Sequence, residues 1–106
     1  MKLTQKKCKP CEGNVPKLKR EEAKKLLKEI PTWELRGEKI FKAYRFKNFL
    51  DSIAFVNRMA DLAEDEGHHP NFAVNFKEVD VTIWTHAING LSENDFILAA
   101  KLDEIA

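Results

Sequence analysis

The sequence predicts an α+β domain: a two-layer sandwich with a four-stranded, mostly antiparallel sheet and three helices on one face. Three observations carry this expectation. A long stretch from Phe49 to Glu66 repeats apolar residues at helical spacing and meets Gly67 and Pro70 at its end. On either side of it, residues 33–46 and 72–86 each hold two extended, aromatic and β-branched runs about a short turn, the pattern of a hairpin. Shorter helical patterns bracket the whole, giving the order helix, two strands, helix, two strands, helix. Hairpins joined through a helix close most simply into one antiparallel sheet with the helices on a single face.

A chain of 106 residues is long enough to close one hydrophobic core without disulfide or metal staples. Charged residues at 33% and apolar ones at 43% are ordinary globular values, which argues against both disorder and a membrane protein. No apolar run approaches the roughly 20 residues of a membrane span. Basic residues open the chain with no apolar segment after them, so no secretory signal is expected and a cytoplasmic protein is the default.

Charge is unevenly spread. Residues 1–28 hold ten Lys/Arg against three Glu, a balance of +7, and the remainder carries −6. A basic arm on an acidic body suits nucleic acid or a neighbouring subunit, but a charge run is more often a solvated surface. The arm has no interleaved aromatics and no recognition motif follows it, so nucleic-acid binding is not expected.

Residues 1–18 include Pro10, Gly13, Asn14 and Pro16, so an irregular basic arm is expected ahead of a single domain at 19–106. Cys8 and Cys11 form the one Cys-x-x-Cys, in a polar, Pro-flanked setting that suits neither a four-ligand zinc site nor a redox strand-to-helix turn. They read as two reduced thiols near a mobile terminus. From Lys19 to Ile30, Ala23, Leu26, Leu27 and Ile30 recur at helical spacing until Pro31 stops the helix.

Residues 33–35 read as a strand, 36–39 as a turn and 40–46 as its partner. Asn48 caps the long helix, on which Phe49, Ile53, Val56, Ala60 and Ala63 share a face widened by Phe55, Met59 and Leu62. Gly67 suits a left-handed C-terminal position. Residues 72–76 and 79–86 form the second hairpin. In its last strand Val79, Val81, Ile83 and Thr85 face one way, and Asp80, Thr82, Trp84 and His86 the other. Gly90-Leu91 breaks the chain, Ser92 caps, and Phe96, Ala99, Ala100, Leu102 and Ile105 line the last helix. Tyr44, Trp84 and the phenylalanines are more aromatic surface than one helical layer obviously covers. A homo-oligomer is therefore expected, against the alternative that all lie in one core.

All three histidines fall between Glu64 and Asp95, as Glu64-x-x-x-His68-His69-Pro70 and Thr85-His86. Imidazole titrates near neutrality, so three in one third of a small chain point to proton transfer. Helical spacing puts Glu64 one turn behind His68, where it either fixes the imidazole tautomer or makes a plain helix-end ion pair. His69 points elsewhere. Singly, His86 reads as a half-buried histidine on a loop carbonyl and Asp95 as the acid of a Ser-x-x-Asp capping box. Jointly, helix exit and strand end can share one edge of the sandwich and make a cleft of three imidazoles and two carboxylates. A zinc site is disfavoured, because adjacent His68 and His69 do not readily turn to one ion and no His-x-His or His-Glu-x-x-His spacing exists. A nucleophilic hydrolase is weaker still, with Ser92 a cap and neither cysteine near a histidine in sequence.

Glu64-x-x-x-His68-His69-Pro70, Phe72, the Val-x-Val-x-Ile run into Thr85-His86, and Gly90-Leu91-Ser92-x-x-Asp95 closely resemble the pterin-4a-carbinolamine dehydratases. The Trp33 strand, Phe46-x-x-Phe49 and the Cys-x-x-Cys-Glu-Gly arm extend the likeness over nearly the whole chain. The resemblance implies a lyase that dehydrates 4a-hydroxytetrahydropterin to quinonoid dihydropterin and so recycles the pterin cofactor of aromatic amino acid hydroxylases, with no metal or organic cofactor of its own. It implies His68 and His86 as the acid/base pair and His69 as chiefly a substrate holder, these three being the catalytic set. Glu64 and Asp95 would orient imidazoles or accept from the pterin, and Gly67, Thr85 and Ala87 would offer backbone contacts to the ring. Phe72 stands where many members have Trp, Ala87 where a polar residue is common, and Asn89 in place of a glycine. Animal members also serve as a dimerisation cofactor of a homeodomain transcription factor, so a non-catalytic protein-binding module is the alternative reading. A homodimer or homotetramer acting on a small pterin is the expected form.

Overall fold

A computed structural model describes residues 2–9 and 15–106. Three helices, α1 (Arg20–Leu27), α2 (Phe49–Glu66) and α3 (Glu93–Ile105), pack on a four-stranded sheet of β1 (Glu34–Arg36), β2 (Lys39–Arg45), β3 (Asn71–Asn75) and β4 (Glu78–Ile83). All pairings are antiparallel, and the strand order is β1-β2-β4-β3. The two hairpins are thus joined side by side through β2 and β4, with β1 and β3 at the edges.

Register follows from which side chains must be buried. Ile40, Lys42 and Tyr44 of β2 stand opposite Ile83, Val81 and Val79 of β4. The three β4 residues are fully buried under the helices, with Phe55, Met59, Phe96 and Leu98 above them. A one-residue slip would expose that entire row, so the pattern admits one register. Tyr44 belongs to this core and not to an uncovered second face: it is 5% exposed, touches Trp33 and Phe55, and donates to Asp103 at 2.5 Å. Burial first, then the Asp103 hydrogen bond, push its phenol well above the ordinary value. Among the described residues the large apolar side chains left exposed are Phe49, Leu50, Phe72 and Phe76, at the start of α2 and along the β3 hairpin.

Helix ends follow the capping signals. Asn48 accepts the Asp51 amide at 2.8 Å to start α2, and Gly67, at φ +64°, ends it. Two elements differ from the sequence reading by more than a residue at an end. α1 is shorter than 19–30, because residues 28–30 close as tight turns onto Lys25, Leu26 and Leu27 carbonyls. β4 ends at Ile83, and His86 lies in a 3-10 turn, His86–Ile88, closed by Thr85 N–H to the Gly90 carbonyl at 2.9 Å. Asn89 takes the left-handed conformation there, at φ +49°, which asparagine tolerates better than other side chains with a Cβ.

The basic arm departs most from expectation. Its first described residues form a 3-10 turn, Leu3–Gln5, and Leu3 and Cys8 are buried in the core, so Cys8 is not a thiol at a mobile end. Cys11 lies outside the described residues. Lys6 pairs with Glu93 at 2.7 Å, and the Cys8 amide donates at 2.9 Å to Glu66, a buried carboxylate that Lys101 also meets at 2.7 Å. Composition alone missed this, because four lysines in nine residues look like a solvated run whatever they pair with.

Burial opposes the charge on Glu66, but the Lys101 ammonium and the Cys8 amide outweigh it and hold the carboxyl below its ordinary 4.5. A carboxylate so lowered stabilises the fold above the unfolded value, and that contribution is lost as pH falls through the folded one. Urea unfolding of wild type between pH 3 and 6 is therefore expected to lose stability on the acid side of 4.5, with a shallower slope in Glu66→Gln.

Candidate active site

Helix α2 exits through Gly67, and that residue decides where the first two histidines go. Its amide caps back to Ala63 and Glu64, and the His68 amide bonds the Ala63 carbonyl at 3.2 Å. The chain thereby reverses, and helical spacing no longer applies beyond position 67. The expected pairing of Glu64 with His68 is accordingly replaced by two others. His68 turns inward and meets Asp95 at 2.6 Å, whereas His69 stays outside and meets Glu64 at 2.5 Å.

These two imidazole–carboxylate pairs differ in environment. The His68 and Asp95 side chains are 5% and 0% exposed, against 62% and 77% for His69 and Glu64. The exposed pair is screened and holds its ring weakly, while the buried one is geometrically fixed. Asp95 is saturated with donors: Oδ2 accepts the Ser92 amide at 2.8 Å and the Thr85 hydroxyl at 3.0 Å, and Oδ1 faces His68 Nε2. Thr85 has one hydroxyl proton and spends it on Asp95, so the Ser92 hydroxyl is the donor in its 2.7 Å contact with Thr85. An ionised carboxyl only accepts, so the proton between Asp95 and His68 belongs to Nε2.

His86 is oriented differently. Its ring lies flat on Trp84, with centroids 4.1 Å apart and planes inclined by 15°, and the Lys39 ammonium lies 4.0 Å from the indole centroid. The sequence reading put residues 84 and 86 on one face of a strand running to 86; β4 ends at Ile83, and the stack forms in the turn beyond it. Trp84 is the supporting residue that sequence reasoning missed.

An open cleft of about 310 Å³ is lined by Gly67, His68, His69, Pro70, Asn71, His86 and Ala87. It is within the usual range for a small flat ligand. The cleft brings together all three histidines with Gly67 and Ala87. Thr85, Asp95 and Glu64 sit behind or beside it as the partners of those histidines and of Ser92. An adjoining apolar groove of about 260 Å³ shares His69 and Pro70 and is floored by Met59, Ala60, Ala63 and Phe72. Among the described residues no three His, Cys, Asp or Glu side chains are grouped to share a cation. Nor is any described helix long and apolar enough to cross a membrane.

Fold and cleft together define a two-layer α+β protein with a histidine-lined cleft where a helix exit, a strand end and a helix start converge. Known proteins share this fold. A family model described as pterin 4 alpha carbinolamine dehydratase matches residues 16–105. A Methylococcus capsulatus relative, provisionally named pterin-4-alpha-carbinolamine dehydratase, is 47% identical over 106 residues, covering 98% of this chain and 93% of its own. One from Nitrosomonas europaea with the same name is 52% identical over 102 residues, 95% of this chain and 90% of its own. The crystal structure of a Brucella melitensis protein described as transcriptional coactivator/pterin dehydratase matches with a TM-score of 0.82 at 33% identity, over 86% of this chain and 99% of that one. A pterin dehydratase-like protein described as a RuBisCO assembly factor in the alpha-carboxysome matches at 0.62 and 29% identity, over 71% and 89%. The chain belongs to the pterin 4 alpha carbinolamine dehydratase family.

Trp84→Ala is expected to release the His86 ring. In proton NMR spectra the carbon-bound His86 protons should move downfield as the indole ring current is lost, at a stability cost of about 1 kcal/mol in urea melts.

Proposed function

We propose that this protein dehydrates a 4a-hydroxytetrahydropterin to the quinonoid dihydropterin, with the histidines of the cleft as its acid and base. The observation that carries this reading is three imidazoles on one cleft, one of them locked to a buried carboxylate, in a chain of this family. The reaction breaks the bond from the carbinolamine carbon to its hydroxyl oxygen and removes the proton from the adjacent ring nitrogen. A donor must protonate the departing oxygen while an acceptor takes the nitrogen's proton, both near neutral pH.

His68 and His86 supply those two groups in this reading, and His69, tied to Glu64 at the rim, holds the substrate. Asp95 keeps His68 in one tautomer, and the Trp84 stack keeps the His86 plane in place. Gly67 and Ala87 offer backbone to the flat ring. The resulting role is regeneration of a reduced pterin cofactor for a hydroxylase. A homodimer or homotetramer is supported by the apolar side chains left open at Phe49, Leu50, Phe72 and Phe76.

That same apolar surface favours one further reading, a protein-binding role, since the neighbours include proteins described as a transcriptional coactivator and as an assembly factor. It ranks second because it leaves the cleft and its histidines without a task. Stopped-flow measurement of 4a-hydroxytetrahydropterin dehydration separates the two. Wild type should exceed the spontaneous rate, His68→Ala and His86→Ala should each lose about 10² to 10³-fold, and the double variant should fall to background. A double variant as fast as wild type would sink the enzymatic reading.

A further inference from the structure

Beyond the cleft, one short segment bonds residues that stand near each half of its buried pair in sequence. Glu66 is the last residue of α2, two positions before His68, and Asn94 immediately precedes Asp95 on α3. Residues 6–9 bind both. The Cys8 amide donates to Glu66 Oε1 at 2.9 Å, and the Lys7 ammonium donates to the Asp65 carbonyl at 2.8 Å. Three residues of the same stretch reach α3. The Lys9 amide donates to Asn94 Oδ1 at 2.9 Å, Asn94 Nδ2 donates to the Lys9 carbonyl at 2.8 Å, and Lys6 pairs with Glu93 at 2.7 Å. The Cys8 thiol adds a contact to the Asn94 carbonyl at 3.5 Å.

We infer that this N-terminal strap is a positioning element for the site, fixing the spacing between the end of α2 and the start of α3 and hence the His68–Asp95 hydrogen bond. The inference rests on the reading of that pair as catalytic. Three features argue for it. The bonds to Asn94 are a reciprocal amide pair, which fixes direction as well as distance. Asn94 and Glu66 are 2% and 9% exposed, so their partners are not interchangeable with bulk water. And His68 follows a left-handed glycine, so the chain between Glu66 and the imidazole has a reversal whose aim depends on how the helix end is held. The family match begins at residue 16, so the strap lies ahead of it.

The variants separate positioning from stability. Glu66→Gln keeps an acceptor for the Cys8 amide but leaves Lys101 without its counter-charge, so it weakens the fold with the strap attached. Glu66→Ala and Asn94→Ala detach the strap, and Leu26→Ala on α1 is a destabilised control far from it in sequence. Two readouts are used on the full-length protein: the nitrogen-bound proton resonance of His68, and the dehydration kinetics. Detachment should broaden or shift the His68 resonance and lower kcat about tenfold with KM within about twofold, whereas Glu66→Gln and Leu26→Ala keep both near wild type. Should Glu66→Ala fail to fold, Asn94→Ala and Lys6→Ala carry the same comparison. A His68 resonance unmoved by strap detachment overturns the inference. A wild type without dehydratase activity would instead remove the proposed reaction, while the resonance still reports whether the strap holds the pair.

Discussion

A single buried carboxylate ties the architecture to the chemistry, because Asp95 has two oxygens and each serves a different level of the structure. Oδ2 takes the Ser92 amide, which starts α3, and the Thr85 hydroxyl, which fixes the chain just past β4. Oδ1 takes His68, which fixes the exit of α2. Charge-assisted hydrogen bonds of this kind contribute about 1.5 to 3 kcal/mol each, and a buried donor left without its acceptor costs about as much. The capping reading and the catalytic reading of Asp95 therefore do not compete. The residue that makes the helix begin where it does is the one that presents the imidazole.

The three histidines are held by three different contacts. His68 is fixed by a buried hydrogen bond to Asp95, His86 by stacking on an indole, and His69 by an exposed carboxylate that water and salt weaken. Groups that move protons need fixed geometry, whereas a group at the rim gains from adjusting to its ligand. In the proposed reaction the fixed His68 and His86 rings would be the acid/base residues and the exposed His69 the substrate holder. Only His68 is set against the core; His86 and His69 both reach solvent.

The N-terminal segment shows how composition misleads where partners are distant in sequence. Lys6, Lys7 and Lys9 look like a solvated basic run, and Cys8 like an idle thiol. Their partners, at positions 65, 66, 93 and 94, are separated from them by more than 55 residues. No local pattern encodes such pairs. The basic arm is complementary to the acidic body at the two helix ends that frame the cleft, so the charge asymmetry is part of how this one chain closes on itself.

Much of the molecule was legible in the residue order because it rests on short-range rules. Periodicity set the α+β class and the order of elements, Asn48 and Gly67 marked the ends of α2, and alternation put Val79, Val81 and Ile83 inside with Trp84 outside. The set of polar residues around the cleft was legible too, through its spacing and its resemblance to one family. What only the tertiary structure decided is the pairing within that set. Helical spacing joins Glu64 to His68, yet a left-handed Gly67 ends the helix first, and the ring finds Asp95, 27 residues away. A reversal of the backbone is a local event that sequence can mark. Where the reversed chain then points depends on which element packs opposite, and that is settled only when the core closes.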